Sequence, residues 1–190
     1  MAISKTKFSC IILAGGEGKR VDGRDKGLIN YNGKTLTKHV IDAVKPQVDE
    51  IILSANRNIE TYETYGYKVI SDTTQQYQGP LAGIAAALPL CQNDWVLITP
   101  CDMPLLPSNI IEKLSQHIIE SNLSIAKVGD KFQLVLLVNK KLLPSILQFL
   151  QEDKLRLMQL VESQKPATHS FPDSHNFKNF NDSKDLLLHP

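Results

Sequence analysis

Short, almost continuously apolar runs, separated by stretches with helical spacing, constrain this chain more than any other feature. Phe8 to Ala14 is such a run and stops at Gly15-Gly16, after which Leu36, Val40, Ile41 and Val44 recur on one helix face. Glu50 to Ala55, a short Lys68 to Ser71 segment and Trp95 to Thr99 repeat the strand pattern, and an alanine-rich helix opened by Pro80 is expected through Leu88. Strands apolar on both faces are buried on both faces, and the helices between them supply the cover, so the pattern predicts an α/β fold built on a mostly parallel sheet. Ligands of such sheets gather beyond the carboxyl ends of the strands. That rule points to the residues after Ala14, Ala55, Ser71 and Thr99.

Further along, Pro107 is expected to open an amphipathic helix through Ile110, Ile111, Leu114, Ile118 and Ile119. Ser124 to Val128 and Lys131 to Asn139 read as two strands around Gly129-Asp130, and Leu142 to Leu150 returns to helix. Beyond about Glu162 the chain turns polar, with only Leu186 to Leu188 suggesting a last short helix. Neither a repeat nor a linker interrupts the 190 residues, a length at which one core can be buried without disulfides or structural metal, so a single domain over residues 1–190 is expected.

A formal charge of +1 gives no global footprint for nucleic acid or a membrane surface, so an anion site must be built locally. The longest apolar runs, such as Cys10 to Ala14 and Leu134 to Val138, fall far short of the roughly 20 residues of a membrane span, and no apolar segment of signal-peptide type follows Lys5 and Lys7. Cys10, Cys91 and Cys101 are odd in number and show no Cys-x-x-Cys spacing, which favours a reducing cytoplasm. The five histidines form neither an i, i+4 pair nor a Cys/His cluster, and no serine lies in a Gly-x-Ser-x-Gly setting. Zinc and covalent catalysis are therefore not expected.

The local anion site is the segment after the first strand. Leu13-Ala14-Gly15-Gly16-Glu17-Gly18-Lys19-Arg20 runs on through Gly23-Arg24-Asp25-Lys26-Gly27, with Lys19, Arg20, Arg24 and Lys26 as its cations. Glycines let backbone N–H groups approach phosphate oxygens, Arg forks onto phosphate and Lys adds a point charge. A glycine-rich turn with solvated charges would be the plain alternative, and the clustering of Lys19, Arg20 and Lys26 speaks against it. The loop lacks the leading Gly and the Lys-Ser/Thr of a Walker A motif, and Val21 stands where a dinucleotide fingerprint needs its third Gly. P-loop kinases and dinucleotide-dependent dehydrogenases lose support.

Leu13-Ala14-Gly15-Gly16, Arg20 and Asp25-Lys26-Gly27-Leu28 together resemble the signature loop of the molybdenum cofactor guanylyltransferase family, relatives of the other GT-A-like nucleotidyltransferases. Val21-Asp22 departs from the family's usual Met-Gly. The resemblance implies a Rossmann-like fold in which Leu13, Ala14 and Gly15 meet the nucleotide through the backbone, with Gly16 in the same loop, and Lys26 reaches the phosphates. Arg20 is added on charge grounds. Asp102 follows the Trp95 to Thr99 strand, where a hard oxygen ligand would face the open sheet edge. Pro100-Cys101-Asp102-Met103-Pro104 also resembles the family's metal-binding motif, which makes Asp102 the expected Mg²⁺ ligand.

By the same resemblance Asp72, Asn56 and Gly79 are expected to bind nucleotide, as is Ser54, which stands where the family often has Asn. Asn179 and Asn181 resemble a carboxy-terminal Asn-x-Asn element on the pterin side. The match is strong over about residues 8–112, the expected nucleotide-binding half, and weaker over 113–190, the expected pterin half. Lys26, Arg20 and Asp102 are the expected catalytic groups. The reaction implied is Mg²⁺-dependent transfer of GMP from GTP to the phosphate of Mo-molybdopterin by a monomer, with molybdopterin-synthesis proteins and molybdoenzyme chaperones as further partners. A cytidylyltransferase acting on molybdopterin or on a sugar or polyol phosphate is the nearest alternative, and a non-catalytic nucleotide-binding adaptor is the other.

Overall fold

The computed structural model describes residues 6–15, 25–72, 79–118 and 120–180. Its first strand, β1 (Phe8–Leu13), is buried along its middle and pairs in parallel on both sides, with β4 (Glu50–Ser54) and β6 (Trp95–Pro100). Both faces of β1 are therefore covered, which is why its sequence shows no polar alternation. A hairpin of β2 (Asn30–Tyr31) and β3 (Lys34–Thr35) turns through Asn32 and Gly33, both at positive φ, and leads into α1 (Leu36–Val44). The Thr35 hydroxyl caps α1 by accepting from Lys38 N–H, and Leu36, Val40, Ile41 and Val44 are buried as their spacing predicts.

After β4 come α2 (Ile59–Glu63), β5 (Lys68–Ile70) and α3 (Gly79–Ala87), then β6. The remaining elements are α4 (Ile110–Leu114), β7 (Leu123–Val128), β8 (Lys131–Asn139), α5 (Leu143–Gln151), α6 (Leu157–Ser163) and β9 (Ala167–Ser170). One seven-stranded sheet results, ordered β5-β4-β1-β6-β8-β7-β9, in which only β8 runs antiparallel to its neighbours. The mostly parallel α/β sheet read from the sequence is the one observed.

Cys10, Ile12 and Leu53 share one apolar cluster with Val40 and Ile41 of α1 and Ile110 and Leu114 of α4. Ile11, Ile52 and Ile98 share the other with Leu81 and Ile84 of α3, Ile146 of α5 and Leu160 of α6. Helices thus cover both faces. From β1 the chain steps by α1 to β4 and outward to β5, then returns by α3 to β6 on the other side of β1. The reversal opens a crevice beyond the carboxyl ends of β1 and β6.

Three expectations need correction. The helix after Pro107 begins only at Ile110, because Asn109 sits at φ −121°, and it tightens to a 3-10 turn over Ser115–His117. The polar stretch beyond Glu162 is not irregular: Ala167–Ser170 pairs with β7 as β9, a strand held by its neighbour and not by its own hydrophobicity. A helix over Leu157–Ser163, buried through Leu157, Leu160 and Val161, was not foreseen. The short helix expected at Leu186 to Leu188 lies outside the described residues. Among the described residues no helix is long and apolar enough to cross a membrane.

Candidate active site

At the carboxyl edge β1 is extended by one rung on each side. Ala14 N–H donates to Ser54 C=O at 2.7 Å and Cys101 N–H donates to Leu13 C=O at 3.0 Å. These bonds engage part of the Leu13 and Ala14 backbone and fix the point at which Gly15 leaves the sheet. A side chain at Gly15 would crowd Asn56, whose Nδ2 lies 3.3 Å from the position a Cβ would take.

Asn56, just beyond β4, and Asp72, just beyond β5, close on each other reciprocally. Asn56 Nδ2 donates to Asp72 Oδ2 at 2.7 Å, and Asp72 N–H donates to Asn56 Oδ1 at 3.0 Å. Ser54 is buried and faces a different neighbour: a Cβ on Gly83 would fall 2.5 Å from Ser54 Oγ. The serine and the glycine together let α3 lie close on β4. Gly79 opens α3 at φ 67°, a left-handed conformation that favours glycine.

Just beyond β6, Lys26 Nζ forms an ion pair with Asp102 Oδ2. Asp102 Oδ1 is buried and has no hydrogen-bond partner among the described residues. A buried carboxylate oxygen without a donor is costly unless a ligand completes it. A buried, unpartnered carboxylate oxygen has the hard donor chemistry that fits a divalent cation. Among the described residues no group of three or more His, Cys, Asp and Glu side chains gathers, so a cation here would draw on few protein ligands together with phosphate oxygens and water.

Lys26 owes its position to Asp25, whose structural part sequence reasoning missed. Asp25 is buried; its Oδ1 accepts from Tyr62 Oη at 2.7 Å and from Gly27 N–H at 3.2 Å, and its Oδ2 accepts from Asn58 Nδ2 at 2.9 Å. Arg57 Nε lies 3.7 Å from Oδ2. Thr37 Oγ1 donates to Gly27 C=O at 2.9 Å, and any Cβ on Gly27 would collide with Thr37 Oγ1 and Tyr62 Oη. The tripeptide Asp25-Lys26-Gly27 is thus pinned on both sides of the lysine. Burial, reinforced by the nearby Cys101 and Asp25, pushes the Tyr62 phenol far above its usual range, so it stays a donor. Burial followed by the charges of Asp102 and Asp25 likewise keeps Cys101 a thiol. Asn58 stands at φ 50°, a region that asparagine tolerates.

Of the expected site residues, Leu13, Ala14, Gly15, Ser54, Asn56, Asp72 and Gly79 come together around β1, β4, β5 and the start of α3. Lys26 and Asp102 meet beyond the carboxyl end of β6, and Asn179 directly precedes Phe180, whose N–H donates to Asp102 C=O at 2.9 Å. Gly16, Arg20 and Asn181 lie outside the described residues.

The mostly parallel sheet and the Lys26–Asp102 pair at its carboxyl edge agree with the nucleotidyltransferase fold that the signature loop implies. The MobA-like NTP transferase domain model matches residues 10–167, and the chain belongs to that family. A molybdenum cofactor guanylyltransferase of Shewanella putrefaciens is 40% identical over 178 residues, 92% of this chain and 91% of that one. One of Vibrio parahaemolyticus is 37% identical over 187 residues, 97% of this chain and 95% of that one. The crystal structure of the molybdopterin-guanine dinucleotide biosynthesis protein A of Archaeoglobus fulgidus superposes with a TM-score of 0.75 at 19% identity, over 95% of each chain, and so shares the fold.

Proposed function

We propose that the chain transfers GMP from GTP to the phosphate of Mo-molybdopterin, releasing pyrophosphate and leaving the guanine dinucleotide form of the cofactor. The guanylyltransferase relatives, matched over more than nine-tenths of both chains, support the reaction. The observation that carries it to a site is the Lys26–Asp102 pair at the crevice, with the second Asp102 oxygen buried and unpartnered.

The chemistry asks for positioning more than for a base. A phosphate oxygen of the pterin forms a bond to the α-phosphorus of GTP while the bond from that phosphorus to the bridging oxygen breaks, and the electron pair leaves with pyrophosphate. The attacking phosphate is already largely anionic at neutral pH, with a second pKa of about 6. Lys26, immobilised through Asp25 and Gly27, sets a positive charge where negative charge accumulates, and Arg20 adds another from the loop. Asp102, with Oδ1 open, would hold a divalent cation, Mg²⁺ on our reading. That ion would polarise the phosphate oxygens and offset the charge of the leaving pyrophosphate.

Asn56, Asp72 and Gly79, with Leu13, Ala14, Gly15 and Gly16, form the nucleotide side in this reading, and Ser54 serves it from beneath by seating α3. Residues 8–112 carry the nucleotide half of a single domain and residues 113–190 the acceptor half, with Asn181 there. Three buried free thiols suit a reducing cytoplasm.

Pyrophosphate release by the purified chain with Mo-molybdopterin and Mg²⁺, comparing GTP with CTP, tests the proposal. Turnover with GTP alone, lost in Asp102→Ala, is the expected result. Preference for CTP would move the chain to cytidylyl transfer, and nucleotide binding without turnover would make it an adaptor.

A further inference from the structure

The segment that ends the described chain crosses back over the catalytic edge. Phe177 sits in the large apolar cluster against Phe171, with ring centroids 5.0 Å apart. Phe180 fills a separate pocket with Tyr31 and Leu36, its centroid 4.7 Å from that of Tyr31, and its N–H donates to Asp102 C=O at 2.9 Å. Two buried aromatic anchors therefore hold the strap between them against the Asp102 turn.

Asn179 lies between those anchors, one residue from the bond to Asp102, and consecutive Cα atoms are only about 3.8 Å apart. Its Oδ1 is buried and lacks a hydrogen-bond partner among the described residues, as does Asp102 Oδ1. Native structures rarely leave buried acceptors unsatisfied, and two of them on adjoining backbone segments suit an electropositive occupant. A carboxylate and a carboxamide oxygen are both hard donors of the kind that hold Mg²⁺ or Mn²⁺. The amide can also turn about its terminal torsion to present oxygen without any movement of the backbone.

We propose that Asn179 supplies a second protein oxygen, beside Asp102, to the divalent cation. The assignment rests on the reading of Asp102 as the cation's carboxylate, and it takes Asn179 away from the pterin side where the resemblance had put it. Phe180 acts as the positioning residue that brings the strap to the metal.

Mn²⁺ binding to the full chain in the presence of GTP, followed by electron paramagnetic resonance or calorimetry, tests this without turnover. Wild type is compared with Asp102→Ala, Asn179→Ala and Asn179→Asp, each checked for folding by thermal unfolding in EDTA. Asn179→Ala is expected to weaken Mn²⁺ by about tenfold, the order of effect seen when a partner of a metal site is removed. Asn179→Asp, which keeps the shape and adds charge, is expected to bind Mn²⁺ at least as tightly as wild type. Loss of binding in Asp102→Ala with unchanged binding in both Asn179 variants would overturn the inference alone, as would an effect of Asn179→Ala confined to the KM for molybdopterin. Unchanged binding in Asp102→Ala would overturn the reading beneath it.

Discussion

Asp25 precedes Lys26 in the chain and Asp102 pairs with its side chain; both carboxylates are buried, and the structure treats them in opposite ways. Asp25 is saturated: Gly27, Asn58 and Tyr62 donate to its two oxygens, and Arg57 adds charge. Asp102 receives Lys26 on one oxygen and nothing on the other. A buried carboxylate whose acceptors are all filled holds a fold together, whereas one left half open costs stability and persists where a ligand completes it. The contrast separates the residue that builds the lysine's seat from the residue that works beside it.

The largest expected effect breaks the pair on the working side. Asp102→Asn keeps the shape and removes the charge, so pyrophosphate release with GTP should fall by about 10²–10³-fold, the range for losing one preorganised electrostatic partner. Its thermal midpoint should stay within about 2 °C of wild type, because a costly open charge disappears along with the ion pair. A midpoint that falls as far as the next variant's would erase the distinction.

Asp25→Ala is the complementary break. It strands Tyr62 Oη and Asn58 Nδ2 without their acceptor, which at about 1–3 kcal/mol per buried group amounts to roughly 3 kcal/mol. Urea unfolding should register that loss, and the thermal midpoint should drop by about 6–12 °C for a chain of this size. Asp25→Asn, which keeps one carbonyl oxygen, should fall between.

The same contrast marks how far the sequence could be read. Asp102 was legible because strand-end position is a local property: an apolar run stops and a polar residue stands at the open edge. Asp72 and Asn56, also at strand ends, were singled out through the resemblance. Asp25 stood in a recognisable motif, yet its work depends on Asn58 and Tyr62, which lie 33 and 37 residues away with nothing between to announce the contact. The Phe180 strap is hidden for the same reason, since Tyr31 and Asp102 join it only through the fold. Within the fold, β1 and β8 carry their identity in apolar runs, but β9 has a single buried side chain, His169, and becomes a strand by pairing with β7. The late start of α4 escaped because Pro107 is a good helix opener that here leads only into a turn.

A third aspartate sharpens the comparison at its weak end. Asp42 on α1 accepts from Lys34 Nζ at 2.8 Å and from Lys38, but its side chain is 36% exposed. Burial acts to raise its pKa; the hydrogen bonds from Lys34 and Lys38 outweigh it and hold the carboxyl below its usual 3.8. A group depressed in the folded state contributes stability above its unfolded value and loses that contribution as pH falls through the native one. Asp42→Asn should therefore cost no more than about 0.5 kcal/mol at pH 7, as for other exposed pairs. The difference from wild type should close when the pH is taken well below 3.8, and in about 1 M salt, where the screening length is about 3 Å. A cost at pH 7 that survives such salt would place Asp42 with Asp25 among the anchoring carboxylates, since a saturated buried partner is what salt fails to screen.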